Sequence, residues 1–210
     1  MHKRKSISVV HYIKLFFLLL ITLMVVGVLG LFFFSKMKSH LPVLGEPGHE
    51  VGSFEFLDQD GHRLTDKDVR GKVRVAEYFF TSCKSICPIM NENMQSVQSE
   101  FKNREDVIIL SHTVDPDTDS PSRLKEYATR MHAIPGKWEF LTGSKMALYK
   151  MAQHDYLLSA DTISIDNIES SFIHTQFISL VDKQNRIRGF YDATDKKEIE
   201  KLISDIKTIL

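Results

Sequence analysis

Cysteine is nearly absent from this chain. There are two in 210 residues, Cys83 and Cys87. Any sulfur chemistry is therefore the work of one C-x-x-x-C pair. Acidic residues are absent from the first forty positions, which hold six of the 27 Lys and Arg. The remainder carries 21 Lys and Arg against 27 Asp and Glu, a net of −6, with no basic patch of the kind nucleic acid requires. Proline is scarce too: of six, none follows Pro135. The late strands therefore lack a proline, and this absence becomes important at the dithiol.

What is present begins with an apolar run. From Leu15 to Phe34 only Thr22, Gly27 and Gly30 interrupt large hydrophobic side chains. Twenty helical residues rise about 30 Å, the thickness of a bilayer core. A signal peptide has a shorter apolar region and a small-residue cleavage site. Here the run ends in Phe32-Phe33-Phe34 and Ser35-Lys36-Met37-Lys38, which suits an uncleaved anchor. Lys3, Arg4, Lys5 and Lys14 precede it, and only Lys36 and Lys38 follow, so the N-terminus is expected inside. The expected organisation is a cytoplasmic N-terminus (1–14), a transmembrane helix (15–34), a linker rich in Pro and Gly (35–52) and one domain (53–210). In a bacterium the domain would be anchored in the inner membrane and face the periplasm, where two idle thiols tend to form a disulfide.

The domain reads as alternating elements. Residues 53–57 and 62–64, separated by Asp58-Gln59-Asp60-Gly61, form a hairpin. Thr65 caps a single helical turn closed by Gly71. Residues 73–80 form a buried strand by their β-branched and aromatic content, with Glu77 an odd member. Pro88 opens a helix whose inner face is Met90, Met94, Val97 and Phe101. Residues 107–114 form a strand, and Ser120-Pro121 start a helix. Residues 138–141 form a strand, and Ser144 caps a helix through about Gln153. Residues 159–171 read as a polar excursion, followed by a strand (172–181), a turn at Lys183-Gln184-Asn185, a returning strand (187–191) and a last helix. Strands alternating with helices imply a parallel core sheet, and the late hairpin adds an antiparallel edge. A dithiol between the first core strand and its helix makes this a thioredoxin-like α/β arrangement, a central mixed sheet flanked by helices.

Two thiols at such a turn can exchange electrons with a disulfide or hold a soft metal. Cys87 falls at the helix mouth and Lys84 lies beside it, so at least one thiol is expected to be acidified. A buried inert pair or a structural disulfide is the bland alternative. Thioredoxins place two residues between their cysteines and face them with a cis-proline that binds substrate backbone. Here there are three residues, and His174 stands where that proline would be. Two sulfurs and an imidazole make a possible Cys2His metal site. Among the other histidines, His112 in the second core strand is read chiefly as a core residue, and the rest fall in tails, linker, hairpin or helix ends.

The chain resembles the Sco/SenC family of copper-binding proteins that assist cytochrome c oxidase assembly. The resemblance is carried by residues 54–64, Arg70-Gly71-Lys72, Cys83-x-x-x-Cys87-Pro88, Thr113-Val114-Asp115-Pro116, Asp119-Ser120-Pro121, Leu124-Lys125-Glu126-Tyr127, Leu141-Thr142-Gly143 and 172–182 with His174. It implies one copper, as Cu(I) or Cu(II), held by Cys83, Cys87 and His174. It also implies delivery of that copper to the Cu(A) centre of oxidase subunit II, or reduction of that subunit's oxidised cysteines to thiols. Other periplasmic copper carriers or thiol reductants would be further partners. Family members often have acidic residues where this chain has Ser85 and Ile173. The competing function is a thiol-disulfide oxidoreductase without a dedicated metal. A thiol peroxidase fits less well, because Phe80 occupies the position three before Cys83 where that chemistry favours Thr.

Overall fold

The structure, a computed structural model, describes residues 9–36, 41–158 and 175–210. It divides into two units, 1–40 and 41–210. The first contains helix α1, Val9–Lys36. Among the described residues no helix is long and apolar enough to cross a membrane. The span expected at 15–34 lies within α1.

The second unit carries a five-stranded sheet made of β3 (Val73–Phe79), β4 (Val107–Thr113), β5 (Trp138–Leu141), β6 (Phe177–Val181) and β7 (Ile187–Asp192). The strand order is β5-β4-β3-β6-β7. β3, β4 and β5 are parallel, whereas β6 runs antiparallel to β3, and β7 to β6. This is the expected thioredoxin-like mixed sheet. β3 and β4 are buried along their whole length, because helices or loops cover both faces.

Alternation sorts the side chains. Val73, Val75 and Phe79 of β3, with Val107 and Ile109 of β4, face a core built with α2 (Cys87–Phe101), α3 (Pro121–Arg130) and α5 (Lys196–Ile209). Ala76, Tyr78, Ile108 and Leu110 face the opposite core. That second core is closed by α4 (Lys145–Lys150), its π-helical continuation Met151–Asp155, and the hairpin β1 (Glu55–Leu57) and β2 (Arg63–Thr65). The helix starts follow their caps. The Ser120 hydroxyl accepts from the Arg123 amide ahead of Pro121, and Ser144 does the same for Ala147.

The hairpin protects the exposed edge of β5. Leu57 and Thr142 exchange main-chain hydrogen bonds of 2.8 and 2.9 Å. Buried Gln59 accepts from the Phe140 amide at 2.8 Å and donates to Glu139. An unpaired strand edge is thus capped by a side-chain amide. A Cβ at Gly143 would stand 2.8 Å from the Phe56 ring, so only glycine lets the hairpin seat there.

Two local expectations differ. Residues 66–71 form hydrogen-bonded turns rather than a helical turn, with the Asp68 carboxylate accepting from the Thr65 amide at 2.8 Å and from its hydroxyl at 2.6 Å. Residues 41–52, expected as linker, carry no helix or extended strand, yet they belong to the compact unit. Val51 is buried, Leu44 bridges Ile187, and the Val51 amide donates to Asn185 O at 2.8 Å. Their Pro and Gly content disguised these apolar anchors. The excursion at 159–171, the beginning of the expected strand at 172–174, and His174 lie outside the described residues.

Asp182 fastens the β6–β7 turn. Its buried carboxylate accepts from the Gln184 and Arg186 amides, from Arg186 Nε and Nη2, and from Arg188 Nη1 at 2.8 Å. Arg188 also donates to the Pro42 and Leu41 carbonyls, tying 41–52 to β7. Burial raises the Asp182 pKa, but these hydrogen bonds outweigh it and hold the group below the usual carboxylate range. Its contribution to stability is therefore present above the unfolded-state pKa and is lost as pH falls through the lower folded-state value. Asp182→Ala should lower stability by about 3 kcal/mol at pH 7, with a smaller penalty in acid. Urea denaturation at pH 7 and pH 3 measures both, and an unchanged midpoint at pH 7 would contradict this role.

Candidate metal and redox centre

Strand β3 ends at Phe79, and residues 80–86 turn the chain into α2. Pro88, in the first turn of α2, gives up no hydrogen bond there. Cys83 N–H donates to Phe80 O at 3.2 Å, and Met90 N–H to Ile86 O at 3.0 Å. The helix has no side-chain cap at Ile86. Its first turn is held instead by buried Asn91, whose amide donates to Cys87 O at 2.9 Å and to the Tyr127 hydroxyl at 2.8 Å.

The two sulfurs stand side by side in unequal surroundings. Both cysteines are free, Cys83 partly exposed and Cys87 buried at 3%. Burial would raise the Cys83 pKa, but hydrogen bonds from the Cys87 thiol, the Ser85 and Cys87 amides and the Ser85 hydroxyl outweigh it, and the thiol lies below its ordinary value. The Ser85 oxygen is 3.7 Å from the Cys83 sulfur. Cys87 is the reverse: burial, the hydrogen bond it makes to Cys83, and nearby negative charge push it up to about 12. One thiol is acidified as expected, but it is not the one at the helix mouth. Burial in the core outweighs the helix terminus at Cys87. Lys84 and Ser85 are exposed on the lip.

Behind Cys87 lies a buried polar relay. Glu77 is fully buried and faces the α2 core between Val75 and Phe79. The Ser111 hydroxyl donates to Glu77 Oε1 at 2.5 Å, and Trp138 Nε1–H donates to that same hydroxyl at 2.7 Å. Glu77 Oε2 has no hydrogen-bond partner among the described residues. Burial pushes the Glu77 carboxyl up to about 7, and its charge helps to raise both Cys87 and Tyr127. The odd residue of the strand thus lies near the thiols electrostatically. It is not a strand-end or edge carboxylate.

His112 is on the other side of the sheet. It sits with Ile108 and Leu110 on the second-core parity, stacked on Tyr78 at 5.1 Å and edge-on to Phe56 and Tyr156. Burial lowers its pKa to about 3, so it is neutral. It is a core histidine and cannot join the cysteines. Among the described residues no three of His, Cys, Asp and Glu converge on a possible metal position. Cys83 and Cys87 are the described part of the expected ligand set. Thr175 lies just before β6, and β6 enters at the end of β3 from which the cysteine loop departs.

A mixed sheet with a dithiol between its first core strand and helix defines the thioredoxin-like class. Within it, the SCO1/SenC family model matches residues 44–210, and the chain belongs to that family. The SCO1 protein homolog of Bacillus subtilis is 30% identical over 162 residues, 76% of this chain and 82% of that protein. The structure of BsSco, a member of the Sco family of cytochrome c oxidase assembly proteins with a disulfide switch, is 30% identical, with a TM-score of 0.64 over 77% of this chain and 93% of that one. The copper-bound ScoI of Bradyrhizobium japonicum shares the fold at 24% identity, with a TM-score of 0.61 over 77% of this chain and 99% of that one.

Two outcomes follow from this geometry. In the reduced, metal-free protein, iodoacetamide at pH 7.5 should alkylate Cys83 about tenfold or more faster than Cys87, because the thiolate is the nucleophile. Peptide mass mapping reads the ratio, and equal rates would contradict the unequal burial. The second concerns Glu77. Its folded-state pKa is raised, so its stabilising contribution is full below pH 4.5 and is lost as pH rises through about 7. Glu77→Gln keeps an acceptor for Ser111 without the charge. It should therefore be more stable than the parent at pH 8, by up to about 3 kcal/mol, and equal to it at pH 4. Denaturation at the two pH values decides; a loss at pH 8 would contradict it.

Proposed function

We propose that this protein is a membrane-anchored copper chaperone of cytochrome c oxidase assembly, with copper as its cargo. Cys83, Cys87 and His174 hold one ion, and the recipient is the Cu(A) site of oxidase subunit II. The single observation that carries this is the adjacent pair of unequal thiols in a Sco-family domain that places no proline opposite them. The fit is chemical. Two sulfurs are soft donors, one already biased toward thiolate, and an imidazole completes a three-donor set suited to Cu(I). The partly exposed Cys83 sulfur suits hand-over to a partner, while the core-held Cys87 retains the ion between encounters. Copper-bound ScoI and the oxidase-assembly role of BsSco support the assignment of cargo and recipient.

The apolar run 15–34 anchors the chain in the bacterial inner membrane, N-terminus inside, with the domain on the periplasmic side. This rests on the length of the run and the charge flanking it.

A second activity has an observation in its favour. The two thiols perturb each other's ionisation at one strand-to-helix turn, an arrangement that suits closure to a disulfide, and BsSco has a disulfide switch. Reduction of a disulfide in the oxidase subunit to its two thiols, with Cys83 and Cys87 oxidised to a disulfide in exchange, would use this pair without His174.

Copper loading separates the two. Full-length chain in detergent, reduced and loaded anaerobically, should bind one Cu(I), and His174→Ala should bind it roughly tenfold or more weaker. Absence of bound copper, or equal affinity in His174→Ala, would overturn the metal site. Turnover of a disulfide substrate by the copper-free His174→Ala chain would then favour the reductase.

A further inference from the structure

We propose that Asp119 is a positioning residue for the cysteine loop: its carboxylate fastens the Thr81 end of that loop to the end of β4, and so sets the Cys83 sulfur against Cys87. Asp119 is 0% exposed. Its carboxylate accepts three hydrogen bonds, from the Thr81 amide at 3.0 Å, the Thr81 hydroxyl at 2.5 Å and the Thr113 hydroxyl at 2.6 Å. Among the described residues no cation pairs with it. A buried carboxylate without a cation is costly unless donors satisfy it, and two of the three donors here belong to the loop that carries Cys83.

Asp119 is itself held firmly. Its amide donates to Asp115 O at 2.8 Å, the Asp115 amide donates to the Thr113 hydroxyl at 3.0 Å, and Ser120 caps α3 immediately afterwards. It therefore ties the loop to three rigid neighbours: β4, the 115–119 turn and the start of α3. The consequence for the sulfurs is asymmetric. Cys87 is part of α2 and of the main core, so helix packing places it. Cys83 lies in the turn, two residues after Thr81, and its place depends on how that turn is held at each end. The helix holds one end, and Asp119 holds the other. Loosening the Thr81 end would let the Cys83 sulfur drift from its partner without disturbing the core.

The copper consequence rests on the chaperone function above; the sulfur placement does not. Both are tested on the full-length chain in detergent with two readouts: Cu(I) affinity by competition with a chromophoric chelator, and the Cys83-to-Cys87 alkylation ratio of reduced, copper-free protein. Asp119→Asn should weaken Cu(I) binding 10–100-fold, the range for losing a group that orients a ligand, and should cut the alkylation ratio several-fold. Thr81→Val keeps the main-chain bond and loses the hydroxyl, so it should move both readouts in the same direction by less. Asp117→Asn, exposed in the same turn, should move neither. Wild-type affinity and wild-type ratio in folded Asp119→Asn and Thr81→Val would overturn the proposal. If Asp119→Asn does not fold, Thr81→Val decides alone. If the parent binds no copper, the chaperone function falls and the alkylation ratio still decides the positioning.

Discussion

The site depends on one constraint: two sulfurs that differ in burial are held at one strand-to-helix turn, Cys83 in the turn and Cys87 at the start of α2. Cys87 is locked into the core by α2, and burial makes its thiol hard to ionise. Cys83 is partly exposed and is the more acidic of the pair. A disulfide-exchange centre needs an accessible nucleophile and a sheltered resolving thiol. A site for a soft ion needs two sulfurs converging from a rigid base. The same inequality suits both chemistries.

The rest of the fold builds that base. Asn91 and Tyr127 brace the first turn of α2 from within the core, and Asp119 braces the strand side of the loop. Glu77, Ser111 and Trp138 form a relay behind Cys87 whose charge disfavours a second thiolate. The sheet itself is the partition. His112, an obvious candidate by residue type, is stacked among aromatics on its far face and plays no part in the site.

Much of this was legible in the sequence where a local rule and the tertiary context agree. The expected strand at 138–141 matches β5, and Ser120-Pro121 opens α3 as a serine cap followed by proline should. The dithiol's place between strand and helix followed from Pro88 and the apolar run before it. Other features depend on contacts distant in sequence. Which cysteine is acidified is decided by packing against α2 and the sheet. Which face His112 takes depends on the strand parity that meets the helices, which alternation alone leaves open. The 41–52 segment looked like a tether because Pro and Gly outnumber the few apolar residues that dock it. The only local signal for Asp119 is an aspartate directly before a serine cap, and its contact with Thr81 spans 38 residues.

The most direct test of the central claim is copper K-edge X-ray absorption of the Cu(I)-loaded full-length chain, compared with His174→Ala. Two sulfur scatterers and one imidazole nitrogen in the parent, with the nitrogen lost in the variant, is the predicted result. A sulfur-only environment in the parent, or identical spectra for the two proteins, would contradict a site built from Cys83, Cys87 and His174.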